Sequence, residues 1–163
     1  MDAKIKETLI AWAQEYNDPK YFQEDPIAFP TRFARSHEAG QAQLADVEIS
    51  ALLSAHLAWG RRAMIVRDCE RMFEEMSWRP YDYVMNGEYR DENASLHRTI
   101  KWSEFAAICA RLRRIYTVRP SLEGMSDMEL RCEVFGQKED RKAPNKKISM
   151  MRRWMVRDDG KVD

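Results

Sequence analysis

Apolar side chains recur at steps of three and four residues along most of the chain, which is the spacing of an amphipathic α-helix. The first stripe consists of Ile5, Leu9, Ile10 and Trp12. It predicts a helix over residues 3–16, which Pro19 stops because proline lacks an N–H and disfavours helix in the residue before it. No segment alternates apolar and polar residues as a half-buried strand does, so the pattern predicts an all-α fold.

Residues 47–59 form the most apolar of the predicted helices. Asp46 is a residue type that caps helix N-termini, and Gly60 is suited to end or bend the helix. Alanines and serines lie between the leucines, and side chains of this size allow a neighbouring helix to approach closely. We therefore expect this helix at the centre of the core.

The same periodicity predicts the remaining helices, while residues 21–33 are expected to form short helical turns over the core and residues 36–43 a loop. Ser103 is expected to cap one of these helices. They cover residues 61–76, 81–85, 103–115, 127–135 and a segment that begins after Asn145. The prediction is a compact globular domain of six to seven helices.

Composition narrows the class of protein further. The chain has 163 residues, 44% of them hydrophobic and 33% charged, which suits one globular domain. Its first residues lack the apolar segment of a secretion signal, and the apolar run at residues 49–59 is too short to cross a membrane. We expect a cytoplasmic protein without a membrane anchor.

Cysteine and histidine give no sign of a metal or redox centre. Cys69, Cys109 and Cys132 are widely spaced, without the close pairs of zinc or dithiol motifs. The three histidines are equally scattered. The cysteines are best explained as small, reduced core residues, and we expect neither a metal nor a cofactor.

A net charge of zero hides an asymmetry along the chain. Residues 1–100 carry 12 Lys/Arg against 17 Asp/Glu, whereas residues 101–163 carry 15 against 10. The excess is concentrated in residues 138–157, with eight basic residues against two acidic ones. A basic end on a neutral protein indicates nucleic-acid binding, and the alternative is a solvated helix face with ordinary ion pairs.

Two groups of basic residues are candidates for DNA contact. Arg61 and Arg62 follow Gly60, with Arg67 about one turn further on, so they could line a phosphate-binding face. They could equally pair with Glu70, Glu74 and Glu75. The second group consists of Lys142, Lys146, Lys147, Arg152, Arg153 and Arg157.

One further pair of residues could face a cleft. Glu48 and His56 are eight residues apart, about two turns of the same predicted helix. The alternative for His56 is a core histidine whose hydrogen bonds are satisfied within the fold.

Several strings together resemble the bacterial domain-of-unknown-function 2400 family, from about residue 16 to the last residue. They are Tyr16-Asn-Asp-Pro-Lys-Tyr-Phe22, Asp25-Pro-Ile27, Asp46-Val-Glu-Ile49, Ala55-His-Leu-Ala-Trp-Gly-Arg-Arg62, Trp78-Arg-Pro-Tyr-Asp82, and residues 145–157 with Met-Arg-Arg-Trp-Met-Val-Arg. The combination of the Trp-Gly-Arg-Arg and Arg-Trp-Met-Val-Arg strings is the most specific part of the resemblance.

The resemblance implies a relationship to the helix-hairpin-helix DNA glycosylases of base-excision repair. Family chains continue into a Pro-Leu-Asp-x-His segment, similar to the one that holds the catalytic aspartate of those enzymes. This chain ends at Asp163, before such a segment. The expectation is a single glycosylase-like helical domain over residues 1–163 that lacks its C-terminal part, with no assignable catalytic residue.

The function implied is DNA binding related to base-excision repair, with duplex DNA as partner. Lys146 and Lys147 stand where bifunctional glycosylases place a lysine that attacks the sugar, and the alternative is a phosphate or solvent contact. The aromatic residues Trp78, Tyr81, Tyr83 and Tyr89 could receive an extruded base or simply cover the core.

A different class of function remains open beside DNA binding. The chain could be a non-catalytic helical scaffold or a protein-interaction module. The apolar surface of an incomplete fold would also favour a homodimer.

Overall fold

A computed structural model describes residues 3–22 and 24–137, and within these ranges the chain forms seven α-helices and one β-hairpin. This confirms the predicted all-α domain of six to seven helices. The helices are α1 (Ala3–Tyr16), α2 (Ala28–Glu38), α3 (Leu44–Leu57), α4 (Arg62–Glu75), α5 (Pro80–Asn86), α6 (Trp102–Val118) and α7 (Asp127–Glu129). A 3₁₀ turn spans Pro19–Phe22, and a π-helical turn at Leu130–Val134 continues α7. The antiparallel hairpin pairs β1 (Ser95–His97) with β2 (Ile100–Lys101).

Helix α3 lies at the centre of the core, as its apolar sequence predicts. Leu52, Leu53, Leu57 and Ile49 are buried, and so are Ser50 and Ser54, whereas Leu44 at the start of the helix is exposed. Ser50 donates its hydroxyl to the Val47 carbonyl, which lets a small polar side chain stay in the interior. From α2, Phe29 and Phe33 pack into the same core.

The start of α3 differs from the prediction. The helix begins at Leu44, so Asp46 is its third residue and the expected role of Asp46 as N-cap is wrong. Its carboxylate instead accepts hydrogen bonds from the backbone N–H of Gln43 and of Tyr81, both at 2.9 Å. One buried carboxylate thus satisfies donors at the N-termini of both α3 and α5 and joins the two helices.

The apolar stripes of α4 and α6 face the core as predicted. The expected cap at Ser103 is wrong, because α6 begins at Trp102 and Glu104 accepts a 2.8 Å hydrogen bond from the N–H of Lys101. The buried stripe residues are Ile65, Cys69, Met72, Phe73 and Met76 around α4, and Phe105, Ile108, Cys109, Leu112 and Ile115 on α6.

Two other elements were predicted incompletely. Helix α2 continues to Glu38, through part of the expected loop. This extension was not predicted because the last turn of the helix is polar and carries no apolar signal. The hairpin was missed because strands of three and two residues are too short to show an alternating pattern. The helix predicted after Asn145 lies outside the described residues.

The helices within residues 3–22 and 24–137 differ in length and in apolar content. There, none of the helices is both long enough and apolar enough to span a bilayer.

The double contact of Asp46 can be tested by removing its carboxylate. We expect Asp46→Ala to lower the free energy of unfolding by about 1–3 kcal/mol, because two backbone N–H groups lose their acceptor. Urea denaturation followed by circular dichroism measures the change. The exposed Asp91 provides the control, and Asp91→Ala should change stability by less than about 0.5 kcal/mol. Equal effects of the two substitutions would contradict the assignment.

The three cysteines should differ in reactivity. Cys69 and Cys109 are buried, and burial raises the pKa of Cys69 to about 12 and that of Cys109 well above its usual range. Because the thiolate is the reactive form, both should resist Ellman's reagent at pH 8 until the protein is unfolded. The half-buried Cys132 should react in the native protein. A fast-reacting thiol that persists in Cys132→Ser would refute this order.

Candidate functional site

Five arginines lie around the junction of α4 with the β-hairpin. Arg61 is the N-cap of α4 and Arg62 its first residue. Arg67 and Arg71 lie further along α4, and Arg98 lies in the turn of the hairpin. All five are exposed, and we call this surface the arginine face. It is organised around a carboxylate and an imidazole buried beneath it.

The buried pair consists of Asp68 on α4 and His97 on β1, both almost inaccessible to solvent. Nδ1 of His97 lies 2.8 Å from Oδ2 of Asp68, and Nε2 lies 3.0 Å from the Trp59 carbonyl oxygen. A carbonyl and an ionised carboxylate can only accept hydrogen bonds. The His97 ring thus bridges the Asp68 carboxylate and the Trp59 carbonyl.

The same carboxylate holds two arginines of the arginine face. Nε and Nη2 of Arg67 lie 2.9 Å and 2.8 Å from Oδ1 of Asp68, and Arg71 approaches the same oxygen at 3.4 Å. The side chains of Arg67 and Arg71 remain 62% and 42% exposed. One negative charge thus faces two guanidinium groups and an imidazole, so the surface above it keeps an excess of positive charge.

Arg98 is positioned by an aromatic ring and by a glycine. Its guanidinium lies 4.4 Å from the ring centre of Trp59, and His97 meets the same ring edge-on at 5.7 Å. Gly60 adopts a φ of +118°, and a Cβ at this position would lie 3.0 Å from Nη1 of Arg98. Gly60 therefore permits the close approach of Arg98, while α3 has already ended at Leu57.

Arg61 and Arg62 lie at the N-terminus of α4, where the helix dipole is positive. Their predicted pairing with glutamates of α4 is not what the structure shows within residues 3–22 and 24–137. Arg62 contacts Asp25 at 3.9 Å, and Glu75 pairs with Arg90 at 3.7 Å. Arg61 and Arg62 follow directly on Gly60, the residue that the Arg98 side chain approaches.

Glu48 and His56 do not share a cleft. The Glu48 carboxylate accepts hydrogen bonds from the Tyr116 hydroxyl at 2.9 Å and from the Leu122 N–H at 3.0 Å, which fixes the segment after α6. Burial and this carboxylate raise the pKa of Tyr116 well above its usual range. His56 is half-buried and stacks on Phe135 with 4.7 Å between the ring centres.

The four candidate aromatic residues pack against the core. Trp78 stacks on Phe29 and Phe33 of α2 and on Phe73 of α4. The Arg32 guanidinium lies 3.9 Å from the centre of the Trp78 ring. Tyr81 meets Tyr116 edge-on, while Tyr83 contacts Tyr89. Burial raises the pKa of Tyr83 to about 12. These contacts favour a role in covering the core.

The second group of predicted DNA-contact residues lies outside the described residues. It comprises Lys142, Lys146, Lys147, Arg152, Arg153 and Arg157. Among the residues that are described, no three His, Cys, Asp or Glu side chains are grouped closely enough to hold a metal ion.

Sequence reasoning found Arg61, Arg62 and Arg67 but missed the pair beneath them. One signal was available, because Asp68 lies three residues after Ile65 and four before Met72, within the inward stripe of α4. A carboxylate on a buried face requires a cationic or hydrogen-bonding partner. Nothing in the spacing identifies His97, 29 residues away, as that partner.

The buried pair should contribute strongly to stability. We expect His97→Leu to lower the free energy of unfolding by about 3 kcal/mol, near the lower limit for breaking a buried pair, because Arg67 and Arg71 still contact Asp68. Urea denaturation measures the loss, and Thr99→Ala in the exposed turn is the control. If both substitutions had the same small effect, the pair would not hold the hairpin to α4.

Comparison with known proteins identifies a family. A model of the family described as "Protein of unknown function (DUF2400)" matches residues 25–137, a range that includes α2 to α7 and the arginine face. No curated protein and no solved structure matches the chain. Since the family match covers more than half of the sequence, this chain belongs to the DUF2400 family.

Proposed function

We propose that this protein binds duplex DNA through phosphate contacts of the arginine face, and that it is related to the base-excision DNA glycosylases. The observation that carries the proposal is the excess of positive charge over Asp68. Arg67 and Arg71 share that single carboxylate with His97, and their side chains still reach solvent. A phosphate group would supply the missing negative charge and accept several N–H donors at once.

The arginine face is also held in place before any ligand arrives. Asp68 fixes Arg67 and Arg71, and the Trp59 ring fixes Arg98. Side chains that are already ordered lose less entropy on binding, so more of the contact energy appears as affinity. Arg61 and Arg62 lie at the N-terminus of α4, and the positive end of the helix dipole there also favours phosphate.

The basic residues of the segment 138–157 would extend the DNA contact. Lys142, Lys146, Lys147, Arg152, Arg153 and Arg157 belong to the proposal on the strength of the sequence alone. The proposed relationship to glycosylases likewise rests on the sequence resemblance. No described residue is assigned a catalytic role.

A second candidate function is a non-catalytic scaffold that binds another protein. The observation that favours it is the apolar stripe of α1, which is exposed along its length. This function predicts indifference to DNA and recovery of one stoichiometric partner without nucleic acid.

DNA binding is tested by removing charge from the arginine face. Arg61→Ala with Arg62→Ala should weaken binding about equally for unrelated sequences, because phosphate contacts do not read the bases. The slope of log K against log salt should flatten by about 0.9 for each lost phosphate contact, or about 1.8 for both. Fluorescence anisotropy of labelled duplexes, titrated over a range of salt concentrations, measures both quantities.

A matched control is present on another helix. Arg113 and Arg114 are also adjacent, exposed arginines, on α6, and Arg113→Ala with Arg114→Ala removes the same charge. This variant should keep the wild-type slope. Absence of salt-dependent DNA binding by the wild-type chain would contradict the proposed function and favour the scaffold. An equal effect of both double variants would show that net charge, not the arginine face, governs binding.

A further inference from the structure

Helix α1 carries large apolar side chains that the described part of the chain does not cover. Ile5, Leu9, Trp12 and Tyr16 are between 49% and 56% exposed, and no residue of the helix is buried. Exposed apolar side chains are ordinary when scattered, but a continuous row of them marks a contact surface. The row also lies outside residues 25–137, the part matched by the family.

The spacing of these four residues specifies the kind of partner. They follow one another at steps of four, three and four residues, which is the heptad repeat of a two-helix seam. The charged residues of α1 all lie off this seam, and they comprise Lys4, Lys6, Glu7 and Glu15. The seam therefore carries no charge, and its polar atoms are limited to the Tyr16 hydroxyl and the Trp12 indole N–H, so it is suited to pack against the same kind of row from another helix.

A helix of this length also needs a partner for its stability. Isolated helices shorter than about 12–15 residues are marginal in water, and most helices in proteins are stabilised by packing of their apolar face. Helix α1 has 14 residues, and its first turn holds no acidic residue and its last turn no basic one. Within the described residues the Tyr16 ring contacts Tyr21 at 5.2 Å, but no residue of α1 is buried and the terminal charges do not complement the helix dipole.

We infer that α1 is a dimerisation helix whose seam of Ile5, Leu9, Trp12 and Tyr16 pairs with the seam of a second copy of this chain. An antiparallel pair places Ile5 opposite the partner's Tyr16, and Leu9 opposite the partner's Trp12. Each of the four layers then combines one aliphatic and one aromatic side chain, which fills space evenly. A parallel pair would instead place Trp12 opposite the partner's Trp12 and Leu9 opposite the partner's Leu9, so that the layers would differ in size. The seam is thus self-complementary about a two-fold axis, as a homodimer requires.

The test is the association state of the full chain with and without a charge in the seam. Sedimentation equilibrium over a wide range of concentrations should show a monomer–dimer equilibrium for the wild type. Leu9→Glu should weaken the dimer by at least about 100-fold, because each copy loses the burial of a leucine and places a charge in an apolar layer. Ala11→Glu adds the same charge on the opposite side of α1 and should leave the dimer intact.

The other outcomes would assign the seam of α1 to a different contact partner. A wild-type chain that stays monomeric, together with a lower melting temperature for Leu9→Glu than for Ala11→Glu, would mean that residues 138–163 cover the seam, and it would overturn the inference. A monomer that binds phosphatidylglycerol vesicles through Leu9 would overturn it in favour of a lipid surface. A dimer that survives in Leu9→Glu would place the interface elsewhere. Since this assay contains no DNA, its outcome is separate from that of the proposed function.

Discussion

A buried carboxylate must be surrounded by donors, and in this protein that requirement falls on Asp68. Its two oxygens are shared among His97, Arg67 and Arg71, so a residue of α4 is tied to the hairpin that follows α5. His97 also contacts the Trp59 carbonyl, two residues beyond the end of α3. Removing a charge from its solvent is unfavourable unless every partner is in place, so these three segments are positioned together or not at all.

The positions of Arg67 and Arg71 in the arginine face follow from their contacts with the buried Asp68. Arg67 and Arg71 contact Asp68, Arg71 also approaches the Ser95 carbonyl at 3.4 Å, and both side chains remain exposed, so their direction is set before a ligand is present. Arg98 follows from the same arrangement, because it is the next residue after His97 and rests on the Trp59 ring. An ordered set of guanidinium groups above a single carboxylate is suited to an extended anion, and the phosphate backbone of DNA is one.

Much of the fold could be predicted from periodicity, because a helix that faces a core repeats its apolar residues at fixed steps. The stripes of α3, α4 and α6 were found in this way. Periodicity does not show what covers a stripe, and α1, predicted from the same signal, is exposed. It also cannot pair residues that are far apart in sequence, such as Asp46 with Tyr81 or Asp68 with His97. The contacts of His97 in the candidate site are of this long-range kind, so only Arg61, Arg62 and Arg67 among the five arginines were predicted.

The two proposed surfaces belong to different parts of the chain and would act together through valency. The arginine face lies within the residues that the family shares, whereas α1 precedes them. A two-fold pair of chains carries two arginine faces, and when one of them is bound the other is held near the same duplex. Linking two weak sites in this way raises the overall affinity without any new contact, provided that both can reach the DNA at once. A seam of four apolar residues on a short helix could thus govern how tightly a set of arginines, on separate elements, holds nucleic acid.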